Sequence, residues 1–200
     1  MREADPLAPL LAAIRDLMAW LQARQVRGVI IGGVAASLLG RPRLTNDVDV
    51  LVMLDRTEWA GFLAGAAAFH FTARVEDPMG FAHRTRVLPV HHRPSAIDVD
   101  VVLGALPFEE EALARARTVS AGGVSFPVPT AEDLVVMKMV AHRPQDLIDV
   151  ESVLDASHRL DFRRVRRWLR EFSAAMEMPE LVDDLEATLA RRRGRRRTPV

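Results

Sequence analysis

Val29-Ile30-Ile31-Gly32-Gly33 followed by Arg43-Leu44-Thr45-Asn46-Asp47-Val48-Asp49-Val50-Leu51-Val52-Met53 is the stretch whose reading decides the fold. An apolar run stops at a glycine pair, and an acid–valine–acid triplet opens the next apolar run. Much later, Asp98-Val99-Asp100 opens a third, through Leu103. Carboxylates that alternate with valine on a strand leave it on one side while the valines fill the other. Charges at the start of otherwise buried strands are costly unless something binds them. Hard oxygen ligands suit a divalent ion such as Mg²⁺. Glycines let the backbone approach a ligand, and the start of a helix presents free N–H groups, so Gly32-Gly33 reads as a phosphate cradle. Asp47 and Asp49 are placed to share metals, because two-metal sites hold ions about 4 Å apart. Such a site asks for a third carboxylate on a neighbouring strand, and Asp98 or Asp100 supplies it.

Working outward, Asp5-Pro6 reads as a cap and first turn of a helix that continues with Leu10, Ile14, Met18 and Leu21 to about Arg24. Val29–Ile31 is a strand, and a second helix runs from the glycine pair to about Leu39. Val48–Met53 is a strand. Asp55 and Glu58 form a capping-box pattern opening a helix through about Ala68. Phe71–Arg74, Ala82–Val90 and Ala96–Leu103 are read as strands, Glu109–Arg117 as a helix and Val124–Val128 as a strand. From Thr130 onward the pattern is helical, with starts at Thr130, Pro144, Asp161 and Pro179. This order predicts an α/β (α+β) fold: a small mixed sheet flanked by helices, then a helical C-terminal part. The division is expected at residues 1–129 and 130–200, because Pro127 and Pro129 lie at the change of pattern.

The 200 residues carry 27 acids and 27 Lys plus Arg, and no cysteine, which excludes disulfides and thiolate metal sites and suits a reducing cytoplasm. No apolar run approaches the length of a membrane span, so no membrane partner is expected. The even balance hides an asymmetry. Residues 1–190 hold all the acids against 21 bases, while Arg191, Arg192, Arg193, Arg195, Arg196 and Arg197 supply the remaining six. A basic tail on an acidic body can reach for nucleic-acid phosphates, or it can be a solvated terminus. Arg163, Arg164, Arg166, Arg167 and Arg170 alternate with Phe162, Val165, Trp168 and Leu169, which fits either an RNA-binding face or an amphipathic helix with a solvated basic side. Lys138 is the chain's one lysine. The histidines show no ligand spacing, and the adjacent His91 and His92 would point to opposite faces of a strand.

The glycine pair, the Asp47-Val48-Asp49 strand and a later strand with a third acid resemble the nucleotidyltransferase superfamily that includes DNA polymerase β. Asp100-Val101-Val102-Leu103-Gly104 resembles that family's third-acid strand, with Asp98 as the rival. The second glycine stands where serine is more usual. Arg43-x-Thr45-x-Asp47-x-Asp49 resembles a motif of the AbiEii/AbiGii toxin-type nucleotidyltransferases. Asp133-Leu134 leading to Lys138, then Arg143-Pro144-Gln145-Asp146-Leu147-Ile148-Asp149, resembles their later motifs. The likeness spans roughly residues 28–155.

The resemblance implies a nucleoside triphosphate as substrate, two Mg²⁺ ions, and Asp47, Asp49 and Asp100 as catalytic acids. Asp98 shares the metal-binding set. It further implies that Gly32, Gly33, Arg43, Thr45, Lys138, Asp146 and Asp149 make up the nucleotide-binding set, with Lys138 at the triphosphate and Asp146 or Asp149 helping to order that helix or the active site. The acceptor is expected to be RNA or tRNA, reached through Arg163–Arg170 and Arg191–Arg197, in a toxin-like setting with an antitoxin protein as partner. A small-molecule acceptor of the aminoglycoside type is the alternative, and Glu109-Glu110-Glu111 is the cluster that would help receive it. A non-catalytic partner-binding module of the same fold is the third reading. Each residue also has a plain structural role open to it: solvated strand-edge acids for Asp47 and Asp49, a turn anchor for Arg43, an ion pair with Arg143 for Asp146 and Asp149.

Overall fold

The computed structural model describes residues 7–157 and 159–197. Two apolar patterns build it. Strands with valine on alternate positions make a sheet, and helices with leucine at three- and four-residue spacing cover it. The order is α1 (Ala8–Ala23), β1 (Gly28–Ile31), α2 (Gly32–Leu39), β2 (Asp47–Met53), α3 (Trp59–Ala64), β3 (Phe71–Ala73), α4 (Pro78–Thr85), β4 (Val87–His92), β5 (Ile97–Gly104), α5 (Pro107–Arg115), β6 (Arg117–Ala121), β7 (Val124–Val128), α6 (Ala131–Ala141), α7 (Pro144–Ala156), α8 (Phe162–Met176) and α9 (Glu180–Arg197). The expected class, a mixed sheet flanked by helices with a helical C-terminal part, is what forms.

The chain clusters into two units, one of Met1–Ala35 with Leu44–Pro129 and the other of Ala36–Arg43 with Thr130–Val200. In the first, the sheet order is β1-β2-β5-β4-β3, with β2 and β5 parallel and the other neighbours antiparallel. One face carries Ile30, Val48, Val50, Val52, Val99 and Val101, all fully buried against Ile14, Leu17 and Trp20 of α1. Trp20 stacks on Phe62 with ring centroids 4.2 Å apart. Burying so many valine and aromatic side chains supplies about 1.5–3 kcal/mol each relative to exposure. The opposite face of the same strands carries the aspartates. β6 and β7 form a separate two-stranded sheet. In the second unit, Leu134, Val136, Met139, Val150, Leu154 and Leu169 are buried among the helices.

Three local expectations are corrected. Ala82–Val90 is not a strand throughout: Asp77 accepts a hydrogen bond from the Gly80 N–H at 2.8 Å and caps α4, which continues to Thr85 before β4 begins. Residues 55–68 are not one helix. A 3₁₀ turn at Arg56–Glu58 leads into α3, and a second 3₁₀ turn follows Gly65. Glu58 does accept from the Asp55 N–H at 3.1 Å, while Asp55 makes no side-chain cap of its own. Arg117 belongs to a strand rather than to the end of α5, since β6 pairs with β7 across Gly122-Gly123, both at positive φ as a tight hairpin turn requires. Asp5, read as a helix cap, lies outside the described residues.

Candidate active site

Register puts four carboxylates together. β2 and β5 run parallel with Asp47 opposite Asp98 and Asp49 opposite Asp100. Parallel partners share a face and lie about 4.8 Å apart, so the four aspartates form a two-by-two block on the side away from the valine core. Ile31, the last residue of β1, is the partner of Asp49 on its other side. The chain then turns at Gly32, whose φ of +62° favours glycine, and α2 starts there. A Cβ on Gly32 would overlap the Asp49 carboxylate. Gly33 follows, buried in the first turn of α2.

The block is held from several sides. The Thr45 hydroxyl donates to Asp47 at 2.7 Å. Arg74, just past β3, donates one guanidinium nitrogen to Asp98 at 3.2 Å and another to Asp100. His91 of β4 lies 2.7 Å from Asp98 through Nδ1. Burial pushes the Asp100 carboxyl above the ordinary carboxylate value, and the like charges of Asp47 and Asp98 push the same way against the pull of Arg74. A histidine pair is not formed: His91 faces the aspartates, while His92 is buried on the other side between Asp16, at 2.9 Å, and Ser95, at 2.6 Å.

The donor set on this face fits a hard divalent cation, being carboxylate oxygen throughout and already crowded with like charge. Among the described residues no three acidic or histidine side chains converge closely enough to ligate one ion together. Arg74 holds two of the four. Sequence reasoning missed Arg74; its role comes from strand register rather than from any local motif.

The remaining expected residues form a group of their own in the second unit. Lys138 of α6 is buried and donates to Asp146 at 2.8 Å, with Asp149 at 3.0 Å. Arg43 grips both Asp149 oxygens, at 2.9 and 3.0 Å. Arg143 caps Asp146 from outside at 2.6 Å, and Gln145 donates to Asp149 at 3.1 Å. Burial opposes ionisation of Asp146 and Asp149, but hydrogen bonds from Arg143 and Lys138 on the first, and from Arg43, Lys138 and Gln145 on the second, outweigh it and hold both carboxyls below the ordinary value. A cavity of about 290 Å³ in this unit is lined by Arg41, Arg43, Gln145, Ile148, Asp149 and Ser152, among others.

Several of the arginines expected to face RNA pair with acids of the second unit, while Arg163, Arg167 and Arg170 are exposed. Arg164 pairs with the fully buried Asp133 at 2.7 Å, Arg166 with Glu186 at 2.6 Å, and Arg167 with Glu171 at 3.7 Å. Arg191 reaches Glu151 at 3.0 Å, and Arg192 donates to the Ser157 carbonyl at 2.9 Å. The side chains of Arg193 and Arg195–Arg197 lie outside the described residues. Glu109 serves its own helix, accepting from the Ala105 and Leu106 N–H groups at 2.7 and 2.8 Å. No helix among the described residues is long and apolar enough to cross a membrane.

A family model described as "Nucleotidyltransferase of unknown function (DUF6036)" matches residues 8–190. The chain belongs to that family. Solved structures share the fold of this DUF6036 nucleotidyltransferase. An antigenic nucleotidyltransferase-like protein from Paracoccidioides brasiliensis is 16% identical, with a TM-score of 0.54 over 90% of this chain and 94% of that one. The antibiotic-resistance factor ANT(2'')-Ia, in its complex with adenylyl-2''-tobramycin, is 15% identical, with a TM-score of 0.55 over 84% and 98%. The lincosamide antibiotic adenylyltransferase LnuA, bound to lincomycin, is 10% identical, with a TM-score of 0.50 over 72% and 96%. No curated protein matches the DUF6036 chain. The family match supports the nucleotidyltransferase expectation; nothing in the comparisons adds closeness to the AbiEii type.

Proposed function

We propose that the protein moves a nucleoside monophosphate from a nucleoside triphosphate to a hydroxyl acceptor, releasing pyrophosphate. The observation that supports this most is the two-by-two aspartate block, with Asp49 pressed against the Gly32 turn. In this reading Asp47 and Asp49 are the principal metal ligands, and Thr45 orients Asp47 through its hydroxyl. Two Mg²⁺ ions, when bound by Asp47, Asp49 and Asp100, supply charge neutralisation for the phosphates and acidify the acceptor hydroxyl. Asp100 is preferred to Asp98 as the third acid. Asp98 is tied by both Arg74 and His91, whereas Asp100 is held by Arg74 and lies opposite Asp49 in the strand register. The backbone turn at Gly32-Gly33 and the start of α2 receive phosphate oxygens. The acceptor oxygen then forms a bond to the α-phosphorus as the bond to the β-phosphate oxygen breaks.

Lys138 and Arg43 carry a different role in this reading. Each is neutralised by carboxylates, so the Arg43–Lys138–Asp146–Asp149 network is proposed to hold α6, α7 and the 41–43 segment in one arrangement. A direct contact of Lys138 with the triphosphate, implied by the toxin-type motif, is the rival assignment.

For the acceptor, the engagement of Arg164 with buried Asp133 and of Arg166 with Glu186 leaves fewer α8 arginines for phosphates and favours a small hydroxyl-bearing molecule over RNA. The adenylyl-tobramycin held by ANT(2'')-Ia gives that class a precedent on this fold. An RNA acceptor in a toxin-like setting, with an antitoxin partner, is favoured instead by the Arg43-x-Thr45-x-Asp47-x-Asp49 motif. The two separate in one experiment. The protein is incubated with Mg²⁺ and each α-labelled nucleoside triphosphate, with purified tRNA or with a hydroxyl-rich small-molecule panel that includes aminoglycosides. Label on a small molecule supports the first, label on RNA the second. Label on neither, with every triphosphate intact, overturns nucleotidyl transfer.

A further inference from the structure

The aspartate face has a geometric peculiarity in the row that crosses it. β3 pairs with β4 through Phe71↔His92, Thr72↔His91 and Ala73↔Val90, and the Arg74 N–H continues the ladder by donating to the Pro89 carbonyl at 3.0 Å. Pro89 is in turn the β5 register partner of Asp100, and Asp100 that of Asp49. One row across the sheet therefore reads Arg74, Pro89, Asp100, Asp49, and the next reads Thr72, His91, Asp98, Asp47. Arg74 starts two strands from Asp100, about 10 Å away, and its side chain crosses Pro89 to reach the carboxylates. There it takes Asp98 with one nitrogen and Asp100 with the other. A fixed positive charge thus lies among carboxylates that the proposed chemistry requires for metal.

We propose that Arg74 is an internal competitor of the divalent ion: it bridges Asp98 and Asp100 in the metal-free protein and has to leave Asp100 before that carboxylate can join Asp47 and Asp49 around the ion. This rests on the metal-dependent reading given above. Exposure makes the exchange feasible. The side chains of Arg74, Asp98 and Asp100 are 31, 45 and 43% exposed, so their pairing is screened by water and weak. The contrast is Lys138 with Asp146, 7 and 1% exposed, a pair whose disruption would strand buried charge. One cluster is built to stay and the other to open. Release of Asp100 leaves Arg74 a second carboxylate, Asp98, itself braced by His91, so the arginine keeps a partner in both arrangements. The bridge also relieves the mutual repulsion of four carboxylates while no ion is present. Metal affinity in this protein is then a difference between two cations for the same oxygens.

The test measures metal binding directly, without turnover. Mn²⁺ is titrated into the full-length protein and the free aquo-ion signal is followed by electron paramagnetic resonance, with calorimetry as a second readout. Wild type, Arg74→Gln, Arg74→Lys and Asp49→Asn are compared. Arg74→Gln should bind Mn²⁺ about two- to fivefold more tightly than wild type, the scale of one partly exposed ion pair removed from the competition. Arg74→Lys, which keeps the charge but loses the fork that spans two carboxylates, should fall between them. The thermal stabilisation given by a fixed Mn²⁺ concentration should grow in the same order, and melts without metal establish that each variant folds. Unchanged or weaker Mn²⁺ binding in Arg74→Gln, with wild-type binding abolished by Asp49→Asn, overturns the competition and leaves the metal site standing. Binding indifferent to Asp49→Asn overturns both, because the ion is then held elsewhere.

Discussion

The Asp49 carboxylate fills the volume that a Cβ on Gly32 would need. The end of one strand and the start of the next are therefore fitted to each other at the atom that matters most, and the turn can only be glycine. Gly32→Ala should lower nucleotidyl transfer about 100-fold, since displacing a reacting group by an ångström is enough to do so. It should also destabilise the fold by about 1 kcal/mol through the left-handed backbone alone. Paired rate measurements and thermal melts check this; full activity in the Gly32→Ala variant would remove Asp49 from the chemistry.

Asp100 is expected to trade stability for function. Its folded-state proton affinity is raised, first by burial and then by Asp47 and Asp98. A carboxyl raised in the folded state disfavours folding once it ionises, so its cost appears above the ordinary carboxylate range and vanishes in acid. Asp100→Asn should therefore melt at a slightly higher temperature than wild type at pH 7, with the gap closing toward pH 4, while transfer falls by about 10²- to 10⁴-fold. Equal or lower stability at pH 7 would contradict the crowding argument.

The second ionic group works in the opposite sense. Asp146 and Asp149 are held below the ordinary value, so they stabilise the fold above it and that contribution disappears as pH falls through their folded-state range, below about 4. Lys138→Met leaves two buried carboxylates with one fewer cation and should cost about 3–5 kcal/mol at pH 7. Chemical denaturation across pH 3–7 measures it: the wild-type curve should decline at the acid end, and the variant should decline less steeply, because Arg143 and Arg43 still hold the two carboxyls down. A variant of wild-type stability that had lost only activity would instead favour a Lys138–triphosphate contact.

Asp133 and Arg164 provide a test of why α8 is so basic. Asp133 is fully buried, and its carboxylate accepts from Arg164 and from the hydroxyl of Thr130, the N-cap of α6. Asp133→Ala should cost about 3–5 kcal/mol by removing one member of a buried ion pair, whereas Arg163→Ala, on the exposed side, should stay within about 0.5 kcal/mol. If instead Arg163→Ala sharply weakened binding to tRNA in a gel-shift titration, the RNA acceptor would regain the lead.

Much of this was legible in residue spacing. Alternation of Asp with Val marked β2 and β5, and the glycine pair marked the β1–α2 turn, because strand period and backbone freedom are local properties. What escaped was set by register or by weak local signals. β6 is a polar, largely exposed strand, so nothing in its side chains marks it apart from the Gly122-Gly123 turn that follows. The Asp77-Pro78 start of α4 carried the same cap signal as Asp5-Pro6, but the apolar residues after it read equally well as a strand. Arg74 has no motif at all. Only the order β2-β5-β4-β3 brings it to Asp100, and chain order gives no sign of that. Lys138 stood out as the single lysine, yet its burial between two carboxylates depended on how α6 and α7 pack.

Pyrophosphate release is the most direct measure of the central claim. Wild type and Asp49→Asn are supplied with Mg²⁺, each nucleoside triphosphate in turn, and the acceptor fraction that takes up label; released pyrophosphate is followed through coupled hydrolysis to phosphate. The account predicts steady release by the wild type, abolished by EDTA and by Asp49→Asn in a protein that melts as cooperatively as its parent. Release that continues unchanged in Asp49→Asn would contradict it.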